Sequence, residues 1–339
     1  MNKLANRGGV LLVNLGSPDS PAAPDVRRFL NEFLMDERVL DMPYLIRRCV
    51  VSCFILPARP KKSAHAYQSI WWDEGAPLVV ISQKLQQKLQ AKLDAPLALA
   101  MRYGNPSIES GLKNLLAQGV DRIFLIPLYP HYAMPTYETV VAATQKALAK
   151  LNDSVPLEIL PPYFNNPLYI EALVASAKEP LDWDYDHLLF SYHGIPERHL
   201  KKTDPTGGHC LVSDACCDTP SAAHATCYRY QTRETTALFV QQASIPRGKY
   251  SIAYQSRFGR DAWLQPFTDE EIVRLARSGV RNLLVICPAF ASDCLETLEE
   301  IGIRGQKAFL EAGGEELRLT PCLNDHPVWV EALRQLCSP

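Results

Sequence analysis

Four cysteines crowd one short stretch of this chain: Cys210, Cys216, Cys217 and Cys227, spaced C-x5-C-C-x9-C in GGHCLVSDACCDTPSAAHATC. Four thiolates can close the shell of a zinc ion or hold an iron–sulfur cluster. Just upstream lies LLFSYHGIP, in which His193 ends an apolar run and precedes Gly194. A neutral imidazole at a strand tip can bind a divalent first-row ion with open positions, or take a proton near neutral pH. Glu296, in FASDCLETLEEI, is the carboxylate that would complete such a pair. Both residues also have plainer readings. A histidine at a strand end can simply satisfy backbone groups, and Asp293-x-x-Glu296 has the spacing of a capping box that would tie Glu296 to its own helix start.

The elements that carry these residues read as a duplication. GVDRIFLIPLYPHYAMPTYETVV begins at Gly119 and GVRNLLVICPAFASDCLETLEEI at Gly279; each runs Gly-Val, apolar strand, Pro-bearing loop, then a helix with Glu-Thr. Arg102-Tyr103-Gly104 answers Arg257-Phe258-Gly259, and Leu15-Gly16-Ser17-Pro18 answers His193-Gly194-Ile195-Pro196. Leu15 stands where the second copy has His193, so strand–turn geometry alone does not require the imidazole.

Apolar runs predict strands near 9–14, 96–101, 122–127, 187–191, 250–255 and 282–288. Helical periodicity appears near 78–93, 107–118, 137–151, 229–242, 269–278, 294–312 and 327–337, with Thr268-x-x-Glu271 as a capping box. Short buried strands alternating with helices imply an α/β chain with two doubly wound parallel sheets. The expected divisions are 1–155, 156–322 with a cysteine-rich insertion at 207–227, and a C-terminal helix in 323–339. Ligands of such folds bind beyond the carboxyl ends of the strands. Two halves facing each other would gather those loops about one cleft, with Tyr129, His131, Tyr132, Met134, Phe290 and Trp263 as aromatic or apolar lining. The stretch from Leu45 to Trp72 mixes apolar with basic residues and has no acids, which suits a large, flat, anionic ligand. It also suits a helical hairpin with a solvated basic face.

Composition narrows the classes. The chain has 339 residues, 47% of them hydrophobic, and a formal net charge of −2. This describes a globular protein with large cores, and the absent basic excess argues against nucleic acid as partner. No stretch approaches the ~20 apolar residues of a membrane span, and MNKLANRGGVLLVNLGSPDS reads as a buried first strand and not a signal peptide. The expected compartment is reducing and cytoplasmic, where clustered thiols favour metal over disulfide.

LLFSYHGIPERH, YQSRFG, CPAFASDCLETLEEI and the opening LLVNLGSP together resemble the ferrochelatase family, from about residue 9 to 335. The resemblance implies two Rossmann-like domains related by a pseudo-two-fold axis, the class II chelatase-like fold. It implies a lyase that inserts Fe²⁺ into protoporphyrin IX and releases two protons, the terminal step of haem synthesis. His193 would take the pyrrole protons, and Glu296 would hold iron or relay protons. Leu15, Arg59, Tyr67, Arg102, Phe290 and Asp293 fall at porphyrin- or cleft-facing positions by the same resemblance. Many eukaryotic relatives have His where this chain has Cys294. Alternatives are a chelatase for coproporphyrin or sirohydrochlorin, and a non-catalytic haem or iron–sulfur sensor.

Some relatives carry a [2Fe–2S] cluster, and Cys210, Cys216, Cys217 and Cys227 look like an internal site of that type. Zinc, with His209 and His224 as substitute ligands, and free thiols are the other readings. The poorly soluble substrate makes transient peripheral contact with the inner membrane through residues 45–56 compatible with a chain lacking a span.

Overall fold

Strand β1, Gly8–Asn14, is buried along all seven residues. Alternate side chains of a strand point to opposite faces, so Leu11 and Val13 face one way and Val10 and Leu12 the other. All four are fully buried, which requires cover on both faces of the sheet. The computed structural model describes residues 7–259 and 261–337. Residues 1–6 of the expected first half and 338–339 of the expected C-terminal segment lie outside the described residues.

The chain divides into two compact units. The first comprises the described residues of Met1–Tyr129, Met134–Pro161 and Val330–Pro339; the second comprises Pro130–Ala133 and Pro162–Trp329. In the first, β2 (Leu97–Met101), β3 (Arg122–Pro127) and β4 (Leu157–Ile159) join β1 in the order β2-β1-β3-β4, every pair parallel. Leu11, Val13, Ile123 and Leu125 pack against Leu112 and Leu115 of the helix Ile108–Ala117, and against Val140 and Leu148 of Thr139–Leu151. β4 lies just past residue 155 yet pairs with β3, and so belongs to the first unit.

The second unit repeats the plan. Strands β5 (His187–His193), β6 (Tyr250–Gln255), β7 (Asn282–Ile286) and β8 (Glu316–Leu319) run parallel in the order β6-β5-β7-β8. Leu189, Ala253, Leu283 and Val285 pack under Ile272, Leu275 and Phe309. On the other face Phe190 meets Phe239 edge-on at 5.3 Å. The identical strand order is the duplication that the sequence suggested. Its glycines agree: Gly104 and Gly259 are left-handed at φ 77° and 75°, and Gly119 and Gly279 at 76° and 99°.

Two expectations change. Thr268 is not a cap: the residue at the helix N-cap is Phe267, while Thr268 Oγ1 pairs with Ser191 Oγ at 2.9 Å and Glu271 accepts Arg274. The single helix expected over 294–312 is three pieces, Leu295–Leu298, a π-helical turn Glu300–Gly305, and Gln306–Glu311. The wider π turn lets Gly305 approach Ile272, where a Cβ would sit 3.2 Å from Ile272 Cδ1. Such turns are frequent at functional sites.

Candidate functional site

His193 is the last residue of β5, an interior strand, and the residues around it come from the carboxyl ends of its neighbours. Its Nδ1 lies 2.6 Å from the Gly194 carbonyl oxygen. A carbonyl only accepts, so Nδ1 carries the proton and the Nε2 lone pair is left for a metal or a proton. Gly194 is required by close approach: a Cβ there would sit 2.9 Å from Gln255 O and 3.3 Å from Trp263 Cε3. Phe290, in the loop after β7, lies 6.2 Å from the His193 ring, centroid to centroid.

Glu296 follows the same loop, half-buried at the second position of the helix Leu295–Leu298. The capping box is present but displaced by one residue from the spacing Asp293-x-x-Glu296. Cys294 is the N-cap and Thr297 its reciprocal partner, so Glu296 is not spent on the helix start. Asp293 Oδ1 accepts Thr297 Oγ1 at 2.9 Å and Oδ2 accepts Asn324 Nδ2 at 2.7 Å. Its carboxylate therefore braces the loop from within, at 6% exposure.

Gln255, at the end of β6, ties these parts together. Its Oε1 accepts Ser191 Oγ at 2.6 Å and its Nε2 donates to the Glu296 carbonyl at 2.7 Å. Beside it Ser256, at φ 67°, donates its N–H to Glu300 Oε1 at 2.9 Å and its hydroxyl to the other carboxylate oxygen. Burial pushes the Glu300 carboxyl above the ordinary range; the Ser256 bond and the His193 charge oppose this, Glu296 adds to it, and Arg304 opposes it. Arg304 is anchored on Glu299 at 2.8 Å. Gln255, Ser256 and Glu300 were not singled out from the sequence. The i,i+4 spacing of Glu296 and Glu300 was the available signal.

The first-unit candidates are placed differently. Leu15 is half-buried at the carboxyl end of β1 and packs on the core. Arg59 is exposed at the start of the helix Arg59–Gln68, whereas Tyr67 is buried there, edge-on to Trp71 at 6.2 Å. Arg102 is committed to a buried network: its guanidinium pairs with Asp36 and its Nε donates to Thr139 Oγ1 at 2.7 Å. His131, expected among the ligand-facing residues, belongs to the second unit and is 2% exposed, edge-on to Tyr192 and Tyr228. Burial pushes its pKa down to about 3, so it is a neutral core residue. A cavity of about 480 Å³ lined by Lys178, Tyr185 and Ser244 contains none of the groups around His193.

Cys210, Cys216, Cys217 and Cys227 are all buried free thiols. They lie near enough to influence one another: Cys210 interacts with Cys227, Cys216 and Cys217, and Cys217 with Cys227 and Cys216. Burial and neighbouring negative charge push the Cys210 thiol up to about 11, and contact with Cys227 raises that of Cys217. Ionising such a group together is costly without a cation. Arg229 Nη1 lies 3.7 Å from Cys216 Sγ. Among the described residues no group of three or more His, Cys, Asp or Glu side chains is arranged to hold a metal ion. His209 and His224 face each other at 5.5 Å, and neither Nε2 has a hydrogen-bond partner.

The model of the family described as Ferrochelatase matches residues 7–339. A protein named Ferrochelatase from Pseudomonas fluorescens (strain Pf0-1) is 54% identical over 331 residues, covering 97% of each chain. One of the same name from Stutzerimonas stutzeri (strain A1501) is 52% identical over 331 residues, also covering 97% of each. Among solved structures, SirB from Bacillus subtilis with Fe³⁺ aligns at TM-score 0.54 and 13% identity, over 97% of this chain and 94% of that one. At that identity the likeness is one of fold.

Proposed function

The chain belongs to the ferrochelatase family, an enzyme family that inserts ferrous iron into a porphyrin for haem synthesis, and from that premise we propose that its porphyrin is protoporphyrin IX and that His193 and Glu296 carry the reaction. The observation that supports this most directly is the Nδ1–Gly194 bond at 2.6 Å, which leaves His193 Nε2 as a base. Insertion needs the pyrrole nitrogens bent out of plane and their two protons removed. Nε2 takes a proton from the nitrogen it faces. Glu296 holds the incoming Fe²⁺ or passes protons on, and Glu300, with its raised pKa, receives them one helical turn later. Leu15, Arg59 and Phe290 are the proposed porphyrin contacts. Asp293 and Arg102 act by bracing loops and Tyr67 by packing. Replacing His193 with Ala is expected to lower iron insertion by about 100-fold or more while leaving porphyrin binding intact. Near-normal turnover would overturn the assignment.

We further propose that Cys210, Cys216, Cys217 and Cys227 hold a [2Fe–2S] cluster. A two-iron cluster takes its ligands as pairs on two irons, and the gathering of four buried thiols in one segment supports this reading. When bound it supplies a one-electron centre apart from the inserted iron. Arg229 offsets the negative charge that four thiolates bring.

No helix among the described residues is long and apolar enough to cross a membrane. Transient peripheral contact is supported by an exposed face: Tyr44, Leu45, Ile46 and Phe54 are 55–79% exposed, and Arg48, Lys61 and Lys62 lie nearby in sequence. That combination fits an anionic lipid surface.

A further inference from the structure

Asp204 lies just past the short helix Glu197–Lys202, where the chain enters the cysteine segment, and is 9% exposed. Both of its carboxylate oxygens are engaged. Oδ1 accepts the Thr206 N–H at 2.8 Å and the Thr206 hydroxyl at 2.7 Å. Oδ2 accepts the His209 N–H at 2.7 Å and the Cys210 N–H at 2.8 Å. Hydrogen bonds to an ionised acceptor are about twice as strong as neutral ones. The chain is thereby folded back onto one carboxylate, with the backbone of Cys210 as the last attachment. Leu211 follows in a left-handed conformation at φ 62°, which a bulky residue holds where its surroundings impose it.

Other groups pin the rest of the segment. Thr226 Oγ1 donates to the Thr203 carbonyl at 2.7 Å, joining the residue before Asp204 to the residue before Cys227. Arg229 Nη2 donates to the Asp214 carbonyl at 3.3 Å, and Arg233 pairs at 2.7 Å with Asp218, next to Cys217. Of these ties, the one through Asp204 fixes the backbone of a cysteine itself. We propose that Asp204 is a positioning residue for the four-thiol site, holding Cys210 where its sulfur joins those of Cys216, Cys217 and Cys227 on a [2Fe–2S] cluster. The proposal rests on the cluster reading given above. Asp204 is not itself a ligand, because both of its oxygens are spent on the loop.

The test compares the full-length wild type with Asp204→Ala, Asp204→Asn and, as a control in the same segment, Asp218→Ala. Each is measured for iron and acid-labile sulfide per chain, for the rate at which a chelator bleaches the visible absorption, and for the electron paramagnetic resonance signal after reduction. Hydrogen exchange of the His209 and Cys210 amides is followed in chelator-treated protein. Asp204→Ala is expected to speed bleaching by about 10-fold or more and to alter the resonance signal. The two amides, released from their acceptor, should exchange about 10-fold faster. Asp204→Asn, which keeps one acceptor oxygen, should fall between Asp204→Ala and the wild type. Asp218→Ala should keep the wild-type bleaching rate and signal. Wild-type bleaching and signal in Asp204→Ala, with faster amide exchange, would overturn the positioning role alone. Equal acceleration in Asp204→Ala and Asp218→Ala, with an unaltered signal, would mark a general loosening of the segment and also overturn it. Wild-type protein free of iron and sulfide would overturn the cluster reading beneath it.

Discussion

Ser256 grips both oxygens of the Glu300 carboxylate, one with its backbone N–H at 2.9 Å and the other with its hydroxyl, from a left-handed backbone at φ 67°. The grip opposes the rise that burial imposes on the Glu300 pKa. Removing the hydroxyl in Ser256→Ala therefore raises that pKa further. Glu300 must be ionised to accept a proton, so activity is lost as pH falls through its pKa, and the acid limb of the pH–rate profile should move to higher pH. Ser256→Gly should show the same limb shift, because it removes the same hydroxyl while suiting the left-handed backbone. Superimposable profiles for the wild type and both variants would count against the relay.

Gly194 makes a second prediction about geometry. A Cβ at this position would meet the Gln255 carbonyl at 2.9 Å, and backbone cannot swing aside as a side chain can. Gly194→Ala should displace the carbonyl that fixes His193 Nδ1. We expect about a 10-fold or larger fall in kcat, with destabilisation of about 1–3 kcal/mol from the overpacked contact. Unchanged turnover in a folded variant would show that the tautomer-setting bond is dispensable.

Asp36 and Arg102 define a stability prediction in the first unit. Burial alone would raise the Asp36 pKa, but Thr139, the Arg38 N–H, Arg102 and Tyr103 together hold it below the ordinary value. A depressed folded pKa contributes stability above the unfolded value of about 3.9, lost as pH falls through the folded value. The denaturant midpoint should thus drop below about pH 4 in the wild type and vary less in Asp36→Asn. At neutral pH Asp36→Asn should be less stable by about 3–5 kcal/mol, since it leaves the Arg102 charge without its partner. A neutral-pH difference under about 1 kcal/mol would mean solvent already screens the pair.

These relationships show what the sequence could and could not carry. β1, β5 and β7 were legible because a strand buried on both faces is a continuous apolar run. β4 and β8 were not: Leu157–Ile159 and Glu316–Leu319 are short edge strands with a charged residue in the middle of LEI and at two of four places in ELRL. His193 stood out as a candidate because it ends an apolar run before a glycine inside a family-like motif, and the contrast with Leu15 in the duplicate copy added only a little. The pairing of Arg102 with Asp36, 66 residues apart, has no local pattern. Glu300 became distinctive only once Ser256 closed on it, and the one-residue shift of the cap from Asp293 to Cys294 decided that Glu296 is available. Propensity rules do not resolve a shift of one residue.

The exposed face at 44–54 predicts surface binding without a change in chemistry. Leu45→Glu combined with Phe54→Glu should weaken sedimentation with anionic vesicles, because each removes an inserting side chain and adds a repelled charge. Binding by the unaltered protein should fall with salt, and turnover on detergent-dispersed porphyrin should stay near that of the wild type. Equal sedimentation with neutral and anionic vesicles would exclude the charge-assisted mode.

The four thiols allow a test that does not depend on turnover. Cys217 interacts with both Cys216 and Cys227, so its loss takes one thiol out of the group. The purified protein is expected to be red-brown, with about two irons and two acid-labile sulfides per chain. Cys217→Ala should lose the visible absorption and the sulfide together, whereas His209→Ala and His224→Ala should keep both. If the histidine variants lose the metal as well, and the metal is one zinc per chain, the site is of mixed Cys–His type and the cluster assignment falls. Because Cys210–Cys227 lies between His193 and the helix Tyr228–Gln242, loss of the cluster should also lower the unfolding midpoint of the second unit. A cluster-free Cys217→Ala protein with unchanged unfolding would place its role in electron or iron sensing, outside the support of the fold.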